Sequence, residues 1–318
     1  MTNENPYLKN YIANVVFNEF KSSRSIDTDS AVLRFKKSIA ELNDEEICEI
    51  LIHAGYIPDL YEPDGSPETL FSKLNEVLVA FWAEKMGFSA TPVKTKGSYE
   101  DVTIKIDGRT IVCDAKTFRL GRSQAAPNVK DFLKLEDINK WCRRHKDTLG
   151  GLVVYPDKHE WKTGSDAYQY CSTKSTPTVM LPYKYLALIL HFRNRFDSKN
   201  LKKLWDYDRL FPKALKDKKN NKERYWKTIN NELLLVLNIK QDEFEEYLKI
   251  AESKITNYIQ GQTIYFSSLK ETVKAAITKE INGYDLETAR KKLMEIRLET
   301  ETKRYTEIIE RIKKFRLN

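Results

Sequence analysis

An alternating apolar run broken by a two-residue turn limits what this chain can become. Within residues 98–123, Val102, Ile104 and Ile106 alternate with polar residues. Asp107-Gly108 supplies a tight turn, and a β-branched run restarts at Thr110 and continues to Cys113. The pattern predicts a β-hairpin with one buried face. Asp114, Ala115 and Lys116 follow directly. Side chains two apart on a strand point to the same face, so Asp114 and Lys116 share a side of the sheet, and Asp101 on the partner strand joins them. Two carboxylates and an ammonium at one sheet edge suit the holding of a divalent cation and the activation of a water.

The remaining elements are read around this hairpin. Helical spacing of apolar residues predicts helices over residues 10–20 and 28–40, and Asn43-Asp44 caps a third one. Gly55, Pro58, Pro63, Gly65 and Pro67 mark a loop. Ser66-Pro67-Glu68 opens a helix over residues 68–86 that ends at Gly87, and a short extended link leads to the hairpin. Beyond it come a helix over residues 132–145, a strand from Leu152 to Tyr155 preceded by Gly150-Gly151, a strand over residues 177–181 and a helix over residues 182–194. From Asp197 onward the reading is helical. This order predicts an α/β protein with a central mixed sheet flanked by helices. The expected divisions are a helical region over residues 1–64, a core over 65–195, and a helical region over 196–318 packed on the core.

Composition narrows the partners. With 54 Lys+Arg against 46 Asp+Glu the net charge is +8, a modest excess that points toward a polyanion. The four cysteines form no close pair, so neither a zinc ribbon nor a disulfide framework is expected, and free thiols in a reducing compartment are the simpler reading. No apolar run has the form of a signal peptide or a membrane span, so a soluble cytoplasmic protein without membrane contact is expected.

An acid followed at a distance by acid-x-Lys on a hairpin is the pattern of the PD-(D/E)xK nucleases. In that pattern Asp101, Asp114 and the carbonyl of Ala115 bind Mg²⁺. Lys116 orients or deprotonates the attacking water and offsets charge at the phosphorus. Asp101 lacks the preceding proline of the motif. Glu76, on the helix upstream, offers a further carboxylate toward the hairpin. Glu100 competes as a ligand, but alternation turns it from the face shared by Asp101 and Thr103. The four histidines are scattered, and none is assigned a role.

The residues after the triplet are more specific. The run DAKTFRLGR from Asp114 to Arg122, then Lys130-Asp131-Phe132, resembles the HindIII-like family of type II restriction endonucleases. So do Leu70-Phe71-Ser72-Lys73, Thr173-Lys174-Ser175 and the run from Leu186 to Leu190. The resemblance implies a restriction-endonuclease-like core with helical N- and C-terminal regions. It also implies a bacterial homodimer that uses Mg²⁺ to cut both strands of a short palindromic duplex site, leaving 5′-phosphates. Carried over by position, Asp101 and Asp114 are metal ligands and Lys116 is the water-activating residue.

Duplex recognition needs cations for phosphates and forked donors for base edges. Arg119, Arg122, Ser123 and Lys130 follow the catalytic strand and are the expected DNA contacts; the competing reading pairs one or both arginines with local carboxylates such as Asp131 or Glu136. The lysine-rich stretch over residues 213–227 is read as a solvated face, with Tyr225 and Trp226 as core. Two other functions stay open at this point: a structure-specific repair or resolving nuclease of the same fold, and a DNA-binding protein without activity.

Overall fold

A computed structural model describes residues 6–22, 26–93, 99–121, 127–159, 161–162, 164–165, 167–170, 173–210 and 221–313. The elements run α1 (Pro6–Lys9), α2 (Tyr11–Ser22), α3 (Thr28–Ala40), α4 (Asp44–Ile52), β1 (Tyr56–Ile57), α5 (Ser66–Lys85) and β2 (Ser89–Pro92). The hairpin follows as β3 (Val102–Ile106) and β4 (Arg109–Ala115). Then come β5 (Phe118–Arg119), α6 (Val129–Phe132), α7 (Leu135–Arg143), β6 (Thr148–Tyr155), α8 (Ala167–Tyr170), β7 (Thr178–Pro182) and α9 (Tyr183–His191). Two short 3₁₀ turns lead to α10 (Tyr207–Leu210), α11 (Asn221–Leu237), α12 (Gln241–Asn282) and α13 (Leu286–Lys313).

Five strands form one mixed sheet in the order β2-β3-β4-β6-β7. β2, β3 and β4 are antiparallel neighbours, whereas β6 and β7 add in parallel to β4. The turn is the expected one: Asp107 and Gly108 both have positive φ, 52° and 78°, and Ile106 pairs with Arg109. α5 packs against β2, β3 and β4, while α7 packs against β4 and β6. The sheet is therefore covered by helices, as its near-complete burial requires: all residues of β4 after Arg109 and all of β7 are buried. β1 and β5 form a separate two-stranded parallel patch.

Local chemistry explains most boundaries. Asn43 accepts from the Glu46 amide while the Glu46 side chain accepts from the Asn43 amide, a reciprocal cap that starts α4. α5 begins at Ser66, with Gly65 rather than Ser66 as the N-cap and Pro67 in the first turn. Three expectations differ from the structure. The helix over 132–145 is two helices, α6 and α7, interrupted at Leu133 and Lys134. The extended link before the hairpin is a sheet strand, β2, pairing Ser89 with Lys105 through Pro92 with Val102. Gly150 and Gly151 lie inside β6 rather than before it. Both are crowding sites: a Cβ on Gly150, which has φ +148°, would sit 1.9 Å from the Pro177 carbonyl, and one on Gly151 would sit 2.6 Å from Ile138 Cγ2. Glycine lets β6 approach β7 and α7 closely.

Of the two aromatic residues read as core, Tyr225 is buried and Trp226, half-buried, stacks on Tyr185; Trp82, Trp141 and Trp161 are buried as well. Lysines 213–219 lie outside the described residues, as does Cys171; Cys48, Cys113 and Cys142 are buried free thiols. Among the described residues no helix is long and apolar enough to cross a membrane.

The chain divides into two compact units, Met1–Ile259 and Gln260–Asn318. The first holds the sheet. In it α2 and α3 pack on α5, and α4 packs on α9. The second comprises the end of α12 and α13, on which Tyr265, Leu269, Val273, Ile277, Ile281, Leu293 and Ile296 are exposed.

Candidate active site

The site is built where β4 ends. Asp101 sits in a bend just before β3, its amide donating to the Cys113 carbonyl at 2.9 Å. Its carboxylate oxygen Oδ2 accepts the Ala115 amide at 2.8 Å. The residue between Asp114 and Lys116 is therefore hydrogen-bonded to the third member of the triplet. Lys116 Nζ lies 2.7 Å from Asp114 Oδ2, and Asp114 is 5% exposed. The open end of the hairpin brings Asp101, Asp114 and Lys116 together.

Glu76 projects from α5 into the same electrostatic neighbourhood. Burial pushes its carboxyl above the ordinary range, and Asp114 pushes in the same direction, while Lys73, 2.6 Å from Glu76 Oε2, pulls it down. Asp101 is pushed well above its ordinary value, first by burial and then by Asp114 and Glu76. The Ala115 amide and Lys116 oppose this only in part. The buried Cys113 thiol and the Tyr183 hydroxyl are also pushed up, chiefly by burial, with these acids adding to it. Three carboxylates thus load one buried corner with like charge.

That corner has the donor chemistry of a hard divalent cation: carboxylate oxygens and a backbone carbonyl, with no thiolate or imidazole. Among the described residues no group of three or more His, Cys, Asp or Glu side chains is arranged to hold a metal ion. An all-oxygen site with few protein ligands suits a cation that keeps much of its water shell.

Glu100, one residue before Asp101, keeps other company. Its Oε1 accepts from Thr103 Oγ1 at 2.9 Å and lies 2.7 Å from His145 Nε2. Thr103 therefore serves Glu100 and not the face of Asp101, because the bend at residue 101 interrupts the alternation.

Arg119, in β5, is engaged by the 58–61 segment and by α5. Its guanidinium donates to the carbonyls of Pro58, Asp59 and Tyr61 and lies 2.6 Å from Glu68 Oε2, partners other than Asp131 or Glu136. Arg122 and Ser123 lie outside the described residues. Lys130 falls in α6, and its side chain lies outside the described ones.

Sequence reading passed over several residues around the site. Lys73 was legible as a cation three residues before Glu76 on one helix face. Ser72, which shares a 2.9 Å hydrogen bond with Thr117, and Tyr183, whose hydroxyl donates to the Lys116 carbonyl at 3.2 Å, carry no local signal.

The family model of the HindIII restriction endonuclease matches residues 9–298. The chain belongs to the HindIII restriction endonuclease family. It is 25% identical over 273 residues to the type II restriction enzyme HindIII of Haemophilus influenzae, a match covering 81% of this chain and 80% of that protein. Membership makes this family member a sequence-specific restriction endonuclease, a site-specific deoxyribonuclease with a restriction-endonuclease-like fold. It also implies DNA as partner and a divalent metal as cofactor.

Proposed function

We propose that this enzyme hydrolyses phosphodiester bonds in both strands of a short palindromic duplex site, with Mg²⁺ as its cation and as a homodimer, leaving 5′-phosphates. The observation that carries the reading is the closure of Asp101 on the Ala115 amide beside the Asp114–Lys116 pair. Asp101, Asp114 and the Ala115 carbonyl would hold the cation, which when bound would supply polarisation of the scissile phosphate and acidify a nearby water. Glu76 adds negative charge that favours a cation at this corner. Lys116 exchanges its contact with Asp114 for the attacking water and the phosphate oxygens, orienting the one and offsetting charge on the others. Water attacks the phosphorus in line, and the 3′-oxygen leaves without a covalent enzyme intermediate.

Arg122, Ser123 and Lys130 are the proposed direct DNA contacts. Arg119 reaches DNA only by giving up Glu68 and three carbonyls, so its first role in this reading is to shape the segment that meets the duplex. Digestion of a long phage DNA with Mg²⁺ and with EDTA tests the proposal. Discrete Mg²⁺-dependent bands with 5′-phosphate ends are expected. A smear would overturn the sequence-specific reading, and a band shift without cutting would overturn the catalytic one.

A further inference from the structure

The backbone of Lys116 is held from two sides just where its strand ends. Its amide donates to the Val154 carbonyl at 2.7 Å, which ties it to β6. Its carbonyl accepts the Tyr183 hydroxyl at 3.2 Å, from the first residue of α9. Tyr183 is 1% exposed, and its ring is seated against Gly55. A Cβ on Gly55, where φ is +83°, would lie 2.7 Å from the ring carbon Cε2. Gly55 in turn accepts the Phe118 amide at 2.8 Å and donates to Asn75 Oδ1 at 2.9 Å. Asn75 is fully buried on α5, one residue before Glu76.

A lysine ammonium rides on a four-carbon stem with many rotamers, so its aim depends on how firmly its own backbone is fixed. Beyond Ala115 the strand ladder supplies only the amide bond to Val154, and the Lys116 carbonyl is held by Tyr183. We propose that Tyr183 is a positioning residue of the cleavage reaction: its hydroxyl sets the Lys116 peptide plane and thereby aims the ammonium at the water and phosphate. Tyr183 touches neither. The inference rests on the role given to Lys116 above.

The test compares Tyr183→Phe with the wild-type enzyme in single-turnover cleavage with Mg²⁺, in DNA affinity with Ca²⁺ replacing Mg²⁺, and in thermal unfolding. Misplacing a catalytic group by a fraction of its reach lowers rate rather than affinity, so cleavage is expected to fall about ten- to a hundredfold with affinity unchanged. Cleavage at the wild-type rate, or a fall no larger than the loss of affinity or of folded protein, overturns the proposal. Should Tyr183→Phe fail to fold, two unnatural residues at position 183 decide. 4-Aminophenylalanine keeps a donor and is expected to cut, whereas 4-methylphenylalanine fills the volume without one and is expected to be slow; equal rates overturn the proposal. Lys116→Ala, run alongside, separates the two levels. If it cuts at the wild-type rate, the assignment of Lys116 itself has failed. If it is inactive while Tyr183→Phe is unaffected, only the present inference has failed.

Discussion

Glu100 and Asp101 are neighbours in the chain, both carboxylates are largely withdrawn from water, and their surroundings are opposite in kind. Glu100, 3% exposed, faces donors: the Thr103 hydroxyl and the His145 ring. Asp101 receives one amide and faces two further acids, Asp114 and Glu76. Burying a charge is expensive unless hydrogen bonds or a counter-charge offset it. The first acid is paired through Oε1 and ties the end of α7 to the entrance of β3, while among the described residues its Oε2 has no hydrogen-bond partner. The second stands in a corner whose repulsion the protein relieves only in part, and a divalent cation is the natural complement. Burial does not distinguish Glu100 from the acid proposed as functional; the sign of the company does.

Four measurements sharpen or break that contrast. Asp114→Ala or Lys116→Ala should have the largest effect, lowering single-turnover cleavage roughly a thousandfold or more while gel-shift affinity for the site stays near wild type. Wild-type cutting in either variant would remove the special status of this corner.

Asp101→Asn comes next, with cleavage down by about a hundredfold or more and a pH signature besides. The wild-type carboxyl is held above its ordinary 3.8, so over that interval the folded protein keeps a proton the unfolded chain has released. Metal-free wild-type stability is therefore lost as pH rises from 3.8 through the raised value. Asparagine buries no such charge. The unfolding midpoint of Asp101→Asn should rise relative to wild type across that window and converge with it below; a difference independent of pH would mean that Asp101 is compensated after all.

Glu76→Gln should lower cleavage by about tenfold and raise the Mg²⁺ concentration needed for half-maximal rate, readable from a metal titration. Glu100→Gln should have the smallest effect on rate, within about twofold, while costing about 1–3 kcal/mol in a denaturant melt because buried donors and acceptors are re-paired. If Glu100→Gln instead stops cleavage in a folded protein, the division between the two acids fails.

The sequence was most legible where contacts are local. Alternation and the Asp107-Gly108 turn located the hairpin, and the cap at Asn43 located α4, because each depends on residues a few positions apart. β2 was hidden by its shortness and its proline, and the start of β6 by glycines that usually end strands but here admit close neighbours. Within the site, the Asp101–Asp114–Lys116 spacing was readable from strand geometry. Tyr183, Gly55 and the Glu68 partner of Arg119 were not, since nothing in a local pattern states which distant segments meet. The end of α12 shows the converse: the helical reading holds, yet Leu269, Val273 and Ile277 on it are exposed.

The mixed sheet also orders the assembly of the site in time. The antiparallel part closes through a two-residue turn, so the Asp101–Ala115 hydrogen bond belongs to a contact the chain finds locally. The tethers of Lys116, to Val154 on β6 and to Tyr183 after β7, require parallel pairings that form only once long intervening segments have returned. Distant pairings are slow because loop entropy must be overcome before they are rewarded. On refolding, recovery of nuclease activity is therefore expected to trail formation of the hairpin that joins Asp101 to Ala115.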